Sequence, residues 1–78
     1  MKIFQFNNNG LFQYGIGIEG NYDYKKMVTW CNENVGQGGC GAGPGAMWIF
    51  KEYYYDSFIF RKEEDRLMFI FMFSSAGD

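Results

Sequence analysis

The chain opens on an extended pattern. Residues 2–6 read Lys-Ile-Phe-Gln-Phe, rich in aromatic and β-branched side chains, and Asn7-Asn8-Asn9-Gly10 supplies turn chemistry. Leu11-Phe12-Gln13-Tyr14-Gly15-Ile16-Gly17-Ile18 resumes the extended pattern, so residues 2–18 predict a β-hairpin. Gly15 and Gly17 fall on one face. They leave a bare strip there on which a ring or another backbone can come close. The period then changes. Tyr24, Met27, Val28 and Cys31 recur at i, i+3, i+4 and i+7, one stripe of an amphipathic helix. That helix is predicted over residues 22–35, capped by Asn21 or Asp23 and ended by Gly36 in a left-handed C-cap. Lys25, Lys26, Thr29, Asn32 and Glu33 take its wet side, and Trp30 and Val35 flank the stripe.

Six of the ten residues in 36–45 are glycine, and the only proline of the chain stands among them. This composition disfavours both helix and strand, because glycine loses the most backbone entropy on ordering and proline removes a donor. The stretch reads as a loop that crosses from the helix to an aromatic second half. There, residues 46–52 read as a strand, 53–57 contain a turn and 58–60 read as a strand. Residues 61–73 admit two readings. In one, Glu63 to Asp65 form a tight turn before a central strand, apolar on both faces. In the other, residues 62–69 form a short helix with acids in its first turn. Leu67, Met68 and Phe71 would then face inward, and a last strand would occupy 70–74. Residues 74–78 read as a polar tail.

These elements predict a single α+β domain over residues 1–78. A small antiparallel sheet, made of the N-terminal hairpin and two or three C-terminal strands, is packed by one amphipathic helix, with a short second helix on the second reading. The expected core sets Tyr24, Met27, Val28 and Cys31 against Phe4, Phe6, Phe58, Phe60 and Phe71.

Composition adds a partner to this picture. Nine Phe, six Tyr and two Trp are more rings than so short a chain can bury, since each brings roughly 150–250 Å². Some should face another protein or a second copy of the chain, giving a homodimer. The candidates are Trp48 and the run Tyr53, Tyr54 and Tyr55, with Cys40 and Pro44 as the distinctive contacts of the glycine stretch. For the tyrosines the competing role is core packing together with a ladder on the sheet surface. The net charge of −2 and the scattered basic residues give no stripe able to neutralise several phosphates, which argues against direct nucleic-acid binding. No secretory signal is legible at the N-terminus. The longest apolar run, residues 67–73, is far below the ~20 residues needed to span a bilayer. A cytoplasmic protein with reduced cysteines and no membrane partner is expected.

Chemistry is limited by the absence of histidine. Ser-His and Cys-His catalysis are excluded, and two cysteines cannot make an ordinary zinc site. Glu63, Glu64 and Asp65 are adjacent, so their side chains diverge. The expectation is a protein that is not an enzyme and needs no cofactor or metal. Gly15-Ile16-Gly17-Ile18-Glu19-Gly20 matches G-x-G-x-x-G, but its isoleucines continue a hairpin strand rather than a phosphate turn. Gly36-Gln37-Gly38-Gly39-Cys40-Gly41 matches again after a helix, the wrong order, and no Gly-Lys-Ser/Thr follows. A small-ligand or nucleotide-binding module built on these glycines is the alternative to protein binding, with a structural virion or assembly component as a third reading.

Two segments together carry a resemblance. They are Met27-Val28-Thr29-Trp30-Cys31-Asn32-Glu33-Asn34-Val35-Gly36 and Phe58-Ile59-Phe60-Arg61-Lys62-Glu63-Glu64-Asp65-Arg66-Leu67-Met68-Phe69-Ile70-Phe71-Met72-Phe73. A Trp-Cys helix, a glycine, an aromatic strand, Glu-x-Asp and then spaced Phe residues resemble small, mostly uncharacterised proteins of tailed bacteriophages. Arg66 stands where a small residue is commoner. The resemblance implies a short helix at the Glu/Asp segment, which favours the second reading of residues 61–73. It also implies a phage setting, in which such a protein acts in the host cytoplasm as an accessory or inhibitor. The action would be to occlude a host protein, for instance one of a defence system.

Overall fold

The computed structural model describes residues 1–39, 43–52 and 54–77. In chain order the elements are β1 (Lys2–Asn7), β2 (Tyr14–Glu19), α1 (Tyr24–Asn34), β3 (Gly38–Gly39), β4 (Trp48–Glu52), β5 (Asp56–Phe60) and α2 (Glu63–Gly77). The strands form one sheet in the order β1-β2-β5-β4-β3. All neighbours are antiparallel except β3 and β4, which run parallel, so the fold is a small α+β domain with a mixed sheet.

The hairpin of β1 and β2 forms as the alternation predicts, with Phe4 opposite Gly17 and Phe6 opposite Gly15. Each ring lies on its glycine partner. A side chain at Gly15 or Gly17 would occupy the space of the Phe6 or Phe4 ring. Phe4 and Phe6 therefore point away from the helices rather than joining the core as expected. The opposite face of β2 supplies Ile16 and Ile18, which are buried with Trp48, Phe50, Phe58 and Phe60 of β4 and β5.

α1 starts where Asp23 accepts a hydrogen bond from the backbone N–H of Lys26 at 3.1 Å. It ends as Val35 and Gly36 both donate to the Cys31 carbonyl, with Gly36 at φ +138°. Met27 and Cys31 face the core, and Val28 is partly buried against it. Tyr24, expected on the same stripe, is 41% exposed at the helix start.

Two element assignments are corrected. The glycine stretch is not wholly a loop, because Gly38 and Gly39 pair with Trp48 and Ile49 as β3. The C-terminal segment is one 15-residue helix, where a last strand over 70–74 and a polar tail were expected. β5, the strand that precedes this segment, already has hydrogen-bonded neighbours on both sides, so a hairpin return beside it is closed to residues 66–73. The three acids of the first turn suit the helix dipole.

The facing of α2 also inverts the expectation. Asp65, Arg66, Phe69 and Phe73 are buried, whereas Leu67, Met68, Phe71 and Met72 are exposed. Arg66 explains part of this. Its Nη1 donates to the Phe6 carbonyl at 3.1 Å and to Asn7 Oδ1 at 2.7 Å, and its guanidinium lies 5.2 Å from the centre of the Tyr14 ring. Arg66 thus pins α2 across the end of the β1–β2 hairpin and fixes the helix rotation. Arg66→Ala is expected to lower stability by about 2 kcal/mol in urea unfolding, with Arg66→Lys recovering only part of the loss.

Candidate functional site

Trp48 organises the glycine stretch. Its ring is fully buried, and its indole N–H donates to the Gly36 carbonyl at 2.8 Å. A side chain at Gly38 would run into the Trp48 carbonyl and indole. Met47 donates to the Gln37 carbonyl at 2.7 Å, and Arg61 Nη2 donates to the Pro44 carbonyl at 2.7 Å. Gly36, whose carbonyl accepts the indole N–H, and Gly38, which has no side chain to meet the ring, therefore let the chain close on its own tryptophan. Trp48, expected at a partner surface, cannot contact a partner from this position. Pro44 is exposed, whereas Cys40 and Tyr53 lie outside the described residues.

Gly15 and Gly17 likewise have packing roles. They lie mid-strand in β2, and both hydrogen-bonded neighbours of β2 are antiparallel. Among the described residues, no group of three or more His, Cys, Asp or Glu side chains is placed to hold a metal ion. Cys31 is fully buried in the core. Burial, followed by the charge of Asp65, pushes its thiol up to about 12. Since the unfolded thiol ionises near 9, folding opposes thiolate formation, and this contribution lowers stability as pH rises from about 9 towards 12. In a Cys40→Ser background, Cys31 is expected to resist alkylation at pH 8 and to react on unfolding, as mass spectrometry would show.

Three surfaces remain as candidate sites. The first lies at the open face of the sheet. Tyr54 is 96% exposed and Tyr55 44%. The Tyr55 ring meets Phe4 edge-on at 4.7 Å between centroids. With Phe6 and Ser57 these residues line an apolar depression of about 290 Å³. Tyr54 and Tyr55 thus join the two phenylalanines that cover the glycine strip.

The second is on the helical face. Trp30 stands edge-on to both Phe69 and Phe73, at 5.8 and 5.7 Å, and so ties α1 to α2. Beside it, Leu67, Met68, Phe71 and Met72 line an apolar groove of about 350 Å³. A second depression of about 530 Å³ between α1 and α2 shares Trp30 and Met72 and is rimmed by Lys25 and Lys26. Phe71 is 81% exposed. Sequence reasoning missed this surface by assigning Leu67, Met68 and Phe71 inward. The signal was present: a helix with apolar residues all round needs a second cover for its outer side.

The third is a cleft of about 490 Å³ at the end of β4 and β5, lined by Tyr22, Tyr24, Phe50, Glu52 and Asp56. Glu52 and Asp56 are cross-strand partners. The Tyr22 hydroxyl donates to Asp56 Oδ2 at 2.6 Å. Burial, that hydrogen bond and the charges of Asp56 and Glu52 all push the Tyr22 phenol above its ordinary range, so it remains a donor. Tyr24 and Phe50 meet edge-on at 4.9 Å.

Among the described residues, no helix is long and apolar enough to cross a membrane. Comparison of the chain with protein-family models, with curated proteins and with solved structures found no match.

Proposed function

We propose that this protein acts by binding another protein. In the phage setting suggested by its sequence resemblance, it would be an accessory or inhibitor that occludes a host protein in the host cytoplasm. The observation that carries the reading is the outer face of α2, where Leu67, Met68, Phe71 and Met72 lie exposed beside Trp30. Contiguous exposed apolar side chains of this size mark interaction sites, because covering them releases water at roughly 25 cal/mol per Å². Tyr54 and Tyr55 offer a separate aromatic patch on the other side of the sheet, of the kind that contributes binding hot spots.

Self-association through the same α2 stripe is a second use of the surface. Residues 67, 68, 71 and 72 form a line along the helix that can pack on a two-fold copy of itself. The test combines capture from a bacterial lysate with light scattering. Wild type is expected to retain a specific partner or to scatter as a dimer. A chain that stays monomeric and captures nothing dependent on the α2 face would overturn the reading.

A further inference from the structure

We propose that the cleft lined by Tyr22, Tyr24, Phe50, Glu52 and Asp56 binds an alkylammonium group, presented as a lysine side chain of the protein partner. The inference rests on the protein-binding reading for the source of that lysine, and on the cleft's own geometry for the ligand chemistry. Three rings line the cleft, and an aromatic face attracts a cation through its quadrupole. Two carboxylates share the same wall. Glu52 and Asp56 are paired directly across β4 and β5, an arrangement that is destabilising for like charges unless a cation lies near them. No basic side chain is among the residues lining the cleft. The combination of rings and carboxylates separates this cleft from a solvated acidic patch, because the rings also cover the apolar stem that a lysine carries behind its ammonium.

Asp56 Oδ2 already accepts the Tyr22 hydroxyl at 2.6 Å, which uses one of its lone pairs and leaves the others to further single donors. An ammonium is suited to such single acceptors. It is a compact charge that can take single acceptors from Asp56, Glu52 and the Tyr22 oxygen in any order. The position is also suited to a protein ligand. Glu52 and Asp56 stand at the two ends of the β4–β5 turn, where Glu52, Tyr54 and Tyr55 are exposed, so the cleft can be reached by a side chain projecting from a partner.

The test is a titration of the labelled full chain with n-butylammonium, followed by amide shifts of residues 22–24, 50–52 and 56–58 at low salt. n-Butanol serves as the neutral isostere and n-butylguanidinium as the forked cation. Butylammonium is expected to saturate these shifts at millimolar concentration and to weaken with added salt, whereas butanol should not saturate them. Glu52→Gln, at an exposed position, is expected to weaken butylammonium binding at least about fivefold with the rest of the spectrum unchanged. Tyr24→Leu should weaken it through loss of the ring alone. Equal saturation by butanol, tighter binding of butylguanidinium, or unchanged affinity in Glu52→Gln would each overturn the proposal. The probe requires no partner. Failure here leaves the lysate capture intact, and failure of the capture leaves the ammonium site intact.

Discussion

Trp48→Ala is expected to remove a large share of the chain's stability at 25 °C, with a urea midpoint far below that of wild type. Trp48 is fully buried, and its ring centroid lies 5.8 Å from that of Phe58. Emptying such a site costs about 3–5 kcal/mol. A domain of this length has roughly 4–12 kcal/mol in total. The local loss is larger than the ring alone. The Gly36 carbonyl loses the indole N–H that satisfies it, and the stretch through Gly38 loses the surface on which it is laid. Trp48→Phe keeps most of the apolar contact and loses the hydrogen bond, so it should remain folded with a clearly lowered urea midpoint. Gly38→Ala tests the same contact from the other side. The added methyl meets the Trp48 backbone carbonyl as well as the ring, which side-chain motion alone cannot relieve, and a loss of at least about 1–3 kcal/mol is expected. A Trp48→Ala protein with a wild-type midpoint would show that the glycine stretch is not held in this way.

The second large effect concerns binding rather than stability. Leu67→Lys combined with Phe71→Lys is expected to reduce partner capture, or self-association, at least about tenfold. Truncating central apolar residues of an interface commonly costs 2 kcal/mol or more, and each 1.4 kcal/mol is a factor of about ten. The same double variant should unfold within about 0.5 kcal/mol per site of wild type, since both side chains are on the outside of α2. This pairing of outcomes distinguishes an interaction surface from a structural one. Phe69→Ala, taken from the buried side of the same helix, should do the reverse and weaken folding first.

The legible and illegible parts of this chain divide along physical lines. The hairpin and α1 could be read because their periods are clear and their ends are chemically marked. Asp23 caps the helix, Gly36 ends it, and the phenylalanines of β1 alternate opposite the glycines of β2. The rotation of α2 could not be read. Residues 67–73 are all apolar, so no stripe identifies an inner side. Its orientation is set by contacts from distant parts of the chain: Arg66 with Phe6 and Asn7, some sixty residues away in sequence, and Phe69 with Trp30, Phe58 and Phe60. Trp48 was misplaced for a related reason. An aromatic beside a glycine-rich stretch looks the same in sequence whether the glycines admit a partner or admit the ring itself. Only the pairing of Gly38 with Trp48 distinguishes the two. The cleft of Tyr22, Tyr24, Phe50, Glu52 and Asp56 was also hidden, because its members come from three separate segments.

The central claim is that the outer face of α2 meets another protein. The most direct measurement places a photo-cross-linking phenylalanine analogue at position 71, and as a control at Gln13, an exposed residue between β1 and β2. Irradiation in bacterial lysate is then followed by mass spectrometry. A discrete adduct at position 71, absent at position 13, is the predicted result, with the adduct's mass identifying either a host protein or a second copy of the chain. Equal, diffuse labelling at both positions, or none at position 71, would contradict the account.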